Sequence, residues 1–224
     1  YRAKIEELAT NYKNSVFTDD EVISMVNMAL NNNCRVTYHS IGNLSQRQIL
    51  KAYAQTTKFS SDILRTIVHN QVSAPEYLDM LEDMKDFIFF NSTPCWCSRD
   101  PWTDGVVGEK VANGYLYKFG SAARNGIRVT MSDDCPANEK AFFMNPMFLF
   151  GLTVGRSENL KMKITEFYPS IEDGLDRDLA LKALTIWPAK QMMLHDKTGS
   201  VFVGKYADFV MWDKDFMKCS ALDV

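Results

Sequence analysis

The run Arg35-Val36-Thr37-Tyr38-His39 stops on a histidine, and 30 residues later Arg65-Thr66-Ile67-Val68-His69 stops the same way. Both runs are short and β-branched or apolar, and each is followed by a polar stretch and then an amphipathic helical pattern. That is how a buried parallel strand and its crossover read. A third run, Ile127-Arg128-Val129-Thr130-Met131-Ser132-Asp133, ends on a carboxylate, and Phe87-Ile88-Phe89-Phe90 is apolar without alternation. A repeat of roughly 30 residues is about one βα unit. The chain is thereby constrained to a parallel sheet covered by helices, an α/β architecture.

Helix starts support this order. Thr18-Asp19-Asp20-Glu21, Ser45-Gln46-Arg47-Gln48 and Ser73-Ala74-Pro75-Glu76 each match a capping box, in which a hydroxyl and an acid or amide reciprocally satisfy free backbone amides. The apolar faces that follow are Val22, Met25, Val26 and Ala29; Ile49, Leu50 and Tyr53; and Tyr77, Leu78 and Leu81. Gly108 to Arg124 reads as a further helix, closed by Asn125-Gly126 as a left-handed cap. Leu175 to His195 reads as a helix that Pro188 kinks or interrupts. Beyond it, Gly199 to Asp213 reads as two β runs around a Gly204-Lys205 turn, belonging to a separate sheet. Residues 1–196 therefore read as a run of βα units, and residues 197–224 as a tail that belongs to a separate sheet.

A net charge of -3 with mixed signs carries no basic stripe, which argues against nucleic acid as a partner. The longest apolar stretch, Ala141 to Val154, is broken by Asn145 and Pro146 and is too short to span a bilayer, so no membrane segment is expected. Five cysteines without a scaffold pattern favour a reducing compartment, and the cytoplasm is the expected location.

In α/β barrels the chemistry sits at the carboxyl ends of the strands. One histidine ending a strand is ordinarily a hydrogen-bonded structural residue. Two at equivalent places, with Asp133 at a third, point to one site. Neutral imidazoles on rigid strand ends suit Zn²⁺ and similar ions, and a carboxylate opposite them can take a proton from metal-bound water and deliver it to a leaving nitrogen. His39, His69 and Asp133 are the expected metal ligands, Asp133 also being the catalytic acid/base, with one or two divalent ions. His195, near a helix end, reads as structural, and Asp134 as a turn cap. Cys95-Trp96-Cys97 lacks the second cysteine pair of a chelating motif; Cys95, Trp96 and Trp102 are read instead as residues lining a small-molecule substrate site.

These motifs resemble the amidohydrolase superfamily, and most closely its YtcJ-like branch. His39-Ser40-Ile41-Gly42-Asn43 is similar to the branch's His-Ala-Ile-Gly-Asp after the fifth barrel strand, and Val68-His69-Asn70-Gln71 to its sixth-strand His-Ala-Gln. Ser132-Asp133 with Pro136 is similar to its Gly-Ser-Asp-x-Pro at the eighth strand. Gly199-Ser200 through Gly204-Lys205-Tyr206-Ala207-Asp208 is similar to its return to a β-sandwich. The resemblance runs from Asn11 to Asp215 and implies metal-dependent hydrolysis of a carbon–nitrogen bond other than a peptide bond. Asn43 stands where the branch carries Asp, Cys135 intrudes before Pro136, and the first-strand His-x-His pair and an earlier-strand lysine have no counterpart. The resemblance therefore implies the carboxyl-terminal half of such an enzyme, with residues 1–196 as half of a (β/α)8 barrel and residues 197–224 as the terminal strands of a small β-sandwich, its partner being the missing amino-terminal half of the barrel. A deaminase of the same superfamily and a catalytically inactive binding or regulatory relative are the alternatives.

Overall fold

The computed structural model describes residues 16–56, 64–74, 84–98, 115–135 and 173–223, together with residues 77, 80, 137, 150, 153 and 154. Helix α1 (Asp19–Asn31) opens with the expected capping box: Glu21 N donates to Thr18 Oγ1 at 3.3 Å, and Thr18 N donates to Glu21 Oε2 at 2.7 Å. It buries Val22, Val26 and Leu30. Strand β1 (Val36–Ser40) follows, then helix α2 (Asn43–Thr56). Here the expected start at Ser45 is corrected, because the helix begins at Asn43 and Ser45 lies inside it. The Ser45 hydroxyl donates backward to Gly42 O at 2.7 Å, and its position inside the first turn, not ahead of it, is what removes it from the cap role.

Strands β2 (Arg65–His69), β3 (Ile88–Ser92) and β4 (Arg128–Met131) complete a four-stranded parallel sheet in the order β1-β2-β3-β4. Before β4 runs helix α3 (Phe119–Arg124); the helix expected over Gly108 to Arg124 is corrected where it is described, because Leu116 bridges Val72 antiparallel and Tyr117 is left-handed (φ +53), so α3 starts only at Phe119. It closes as the Asn-Gly pair predicts: Gly126 has φ +83, and Ile127 N donates to Ala122 O at 3.1 Å. The helix expected after Ser73 falls mostly outside the described residues.

The registers define two faces. Ile67, Ile88, Phe90, Val129 and Met131 join the main apolar core against the helices. Thr37, Thr66, Phe89, Asn91, Arg128 and Thr130 share the opposite face, where the Arg128 guanidinium lies 5.3 Å from the Phe89 ring and Asn91 Nδ2 donates to Thr130 Oγ1 at 3.0 Å. Arg65 is an exception on the apolar side. It is fully buried, with its guanidinium 4.7 Å from the Phe87 ring and 5.8 Å from that of Tyr53. Burial and the nearby guanidinium act on the Tyr53 phenol in opposite senses, and burial, the larger effect, raises its pKa far above the ordinary range.

The helix expected over Leu175–His195 is two helices, α4 (Arg177–Leu184) and α5 (Ile186–Gln191). They part at Thr185 (φ -125, ψ -89), ahead of Pro188, whose ring cannot sit against the carbonyl of Leu184 one turn earlier and which has no N–H to give it. The two β runs expected in Gly199–Asp213 are corrected as well: residues 197–223 contain no strand. The Gly204 turn is present, with φ +93 and Lys205 N donating to Phe202 O at 3.2 Å. Its flanks are exposed, Val203 and Met211 each at 96%. A β-prone run becomes a strand only where another backbone completes its ladder, and no described residue does so here. Among the described residues no helix is long and apolar enough to cross a membrane.

Gly120 seats α3 against the segment leading to α4. A Cβ there would run into the Gly174 carbonyl oxygen and lie 2.6 Å from the Asp173 carbonyl carbon. Asp173 is buried in the same contact, accepting from Lys118 Nζ at 2.7 Å and Ser121 Oγ at 3.1 Å. We expect Gly120→Ala to destabilise the fold by about 1–3 kcal/mol, as overpacking against backbone does, read as a lower denaturation midpoint in urea. Burial raises the Asp173 carboxyl above its ordinary value, with Lys118 and Ser121 partly offsetting the shift. The folded state thus holds this proton more tightly than the unfolded chain does. Its contribution to stability is fully present below the unfolded pKa, about 4, and is lost as pH rises through the folded value. Stability of the wild type relative to Asp173→Asn should therefore fall as pH increases from 4 upward, measured by urea titration at several pH values.

Candidate active site

The ladder pairs His39 with Val68 and Ser40 with His69, so the two histidines are one residue out of step. Regular alternation would send their side chains to opposite faces. Yet the rings meet edge to face, with centroids 4.5 Å apart and planes at 77°. The backbone resolves the contradiction, because His69 (φ +71) and Asn70 (φ +49) both leave the strand in the left-handed region. Two successive non-glycine residues in that region cost about 1–3 kcal/mol each, a strain that clusters at functional sites.

His39 is exposed on the edge strand, while His69 is buried, and its Nδ1 shares a 3.2 Å hydrogen bond with Thr93 Oγ1. Thr93 itself is buried just past β3. Asn91 is bonded on both sides, donating to Thr130 and accepting from Ser132 Oγ at 3.0 Å. These polar groups run across the end of the sheet beside the histidines. Neither Thr93 nor Asn91 stands out in the sequence. The available signal was their position at the end of a run that is otherwise wholly apolar.

Asp133 lies beyond β4, the opposite edge strand from His39. Its Oδ1 accepts from Cys135 N at 3.2 Å, and it is half-buried. The structure thus brings His39 and His69 together and leaves Asp133 at the far edge. Among the described residues no three His, Cys, Asp or Glu side chains gather as a metal-binding group. Cys95 is completely buried in the core, and its thiol donates to Asp133 O at 3.5 Å. Trp96 is partly buried against the same core, its Nε1 donating to Asp134 Oδ2 at 3.1 Å. This bond ties the 3-10 turn after β3 (Pro94–Ser98) to the loop after β4, in which Asp134 is left-handed (φ +58). Asp134, read as a turn cap, is thus the acceptor for Trp96. Trp102 lies outside the described residues.

The histidine pair thus lies at the carboxyl ends of parallel strands, the end at which α/β barrels carry their chemistry. The chain belongs to the amidohydrolase family, whose model matches residues 8–223. Solved metal-dependent hydrolases of uncharacterized function from Pyrococcus horikoshii OT3 and Pyrococcus furiosus share its fold, with TM-scores of 0.74 and 0.72 and 21% identity in each case. They cover 92% and 91% of this chain, and the match spans 39% and 38% of theirs. The exoenzymes regulatory protein AepA of Pectobacterium carotovorum subsp. carotovorum is 36% identical over 98 residues, 42% of this chain and 21% of that protein. The chain spans less than half the length of these relatives.

Burial separates the cysteines. Alkylation of the folded chain should modify the exposed Cys34 and Cys135 quickly and leave Cys95 untouched until denaturant is added, as followed by mass spectrometry of tryptic peptides. Rapid labelling of Cys95 in the native chain would return it to the open surface of the site.

Proposed function

We propose that this chain is the carboxyl-terminal part of a metal-dependent hydrolase, of the YtcJ-like branch, acting on carbon–nitrogen bonds other than peptide bonds in small molecules. The His39–His69 pair carries the reading. Two imidazoles at neighbouring strand ends, 4.5 Å apart between centroids, fit adjacent ligands of one divalent ion, for which zinc is the proposed identity. The remaining ligands are assigned to an amino-terminal half of the barrel, the chain's proposed partner. A closed barrel needs about eight strands, and β1 and β4 are the edges such strands would join. Closure would curve the sheet so that Asp133 faces the histidines across the mouth. The same proposal places the protein in the cytoplasm; the described cysteines form no disulfide.

When bound, such an ion lowers the pKa of its water to about 7. His69 is held by Thr93 at Nδ1, which fixes ring orientation and assigns Nε2 to the ligand role. Asp133 takes the proton of the attacking water at its carboxylate and returns it to the departing nitrogen. A second reading, regulation without turnover, is favoured by the name of the relative AepA.

Elemental analysis of the complete protein should find a divalent ion, depleted in His39→Ala and His69→Ala. Asp133→Asn should lower turnover of an N-acyl and cyclic amide panel by about a hundredfold or more while retaining metal. Near-wild-type hydrolysis in that variant would remove Asp133 from the mechanism. A metal-loaded wild type that hydrolyses nothing in the panel supports the regulatory reading.

A further inference from the structure

His39 and His69 meet only because the backbone turns left-handed at His69 and Asn70, and a buried polar group holds it there. Gln46, on α2, is 0% exposed, Asn70 4% and Ser73 0%. Gln46 Nε2 donates to Asn70 Oδ1 at 2.6 Å and to Ser73 Oγ at 3.1 Å, and Ser73 Oγ donates to Asn70 Oδ1 at 2.8 Å. The loop backbone is pinned on both sides. Asn70 N donates to Ser40 O at 3.0 Å and Val72 N to Ile41 O at 2.9 Å, while Ser73 N reaches Tyr115 O at 2.7 Å and Tyr117 N reaches Gln71 O at 2.8 Å.

Gln46 Oε1, by contrast, is buried with no hydrogen-bond partner among the described residues. A stranded carbonyl is costly, so the amide is oriented for what its NH₂ group holds. Asparagine accepts the left-handed region because its short side chain bonds locally; histidine has no such compensation. The strain at His69 is therefore sustained from the adjacent Asn70 and its partners.

We propose that Gln46, Asn70 and Ser73 are positioning residues for His69, locking the left-handed turn that carries its imidazole across to His39. The functional consequence rests on His69 being a metal ligand; the geometric part does not.

The chain has three histidines, so its ring protons are resolvable by NMR of the full chain. Without metal, cross-relaxation between the His39 and His69 rings is expected in the wild type. Gln46→Leu and Asn70→Ala should abolish it while circular dichroism shows a folded chain. Zinc affinity of the complete protein, measured by chelator competition, should fall about tenfold or more in the same variants, as loss of groups that orient a ligand does. Asn70→Asp, which keeps the acceptor and the tolerance of left-handed backbone, should restore both readouts. If either variant fails to fold, Ser73→Ala, which deletes one hydroxyl, is read in its place. Wild-type ring contact and zinc affinity in the folded variants would overturn the proposal. Should the wild type bind no zinc while the ring contact still depends on Gln46 and Asn70, the metal reading falls and the positioning role stands.

Discussion

In a parallel ladder the two-residue alternation of side chains is rigid, and two residues one step out of register face opposite ways unless a backbone breaks the pattern. The site at the end of this sheet depends on such a break. His39 stays on the regular path of β1, whereas His69 turns left-handed beside it, and their rings come to 4.5 Å. The sheet supplies the rigid reference, and the turn after β2 supplies the departure from it. Both parts are needed, because regular alternation would have sent the His69 side chain to the helix-facing side of the sheet, away from His39.

The break is sustained by its surroundings. The sheet face toward the helices is almost wholly apolar, which fixes the registers of β2, β3 and β4 against sliding. Arg65, placed between the Phe87 and Tyr53 rings, adds a charged group whose burial is tolerated through cation–π contact. On the opposite face Asn91, Thr130 and Ser132 bond in a row, so the polar groups approaching the site satisfy one another. The unusual backbone conformation at His69 is held by the bonds among Gln46, Asn70 and Ser73 beside it.

Much of this was legible from local signals. The strands at Arg65–His69 and Arg128–Met131, the Thr18–Glu21 capping box and the left-handed Gly126 all follow from pattern and residue type. The errors share a cause. Ser45 looked like a cap, but the helix had already begun at Asn43, two residues before it. Residues 199–213 looked like strands, but strand formation is a property of a pair of segments, not of one. Cys95, read as lining a substrate site, is carried by the 3-10 turn after β3 into the core, a burial that no local signal shows.

By itself the sequence determined the βα repeat, the parallel sheet and the presence of histidines at two strand ends, because periodicity, capping and turn chemistry act over a few residues. It did not reveal that those histidines stand one residue out of register, nor that Thr93, Gln46, Asn70 and Ser73 converge on one of them. The contacts that show the convergence join positions 24 to 27 residues apart. They are set by which strand lies beside which and how the chains align, and the tertiary packing of α2 over the end of β2 decided them.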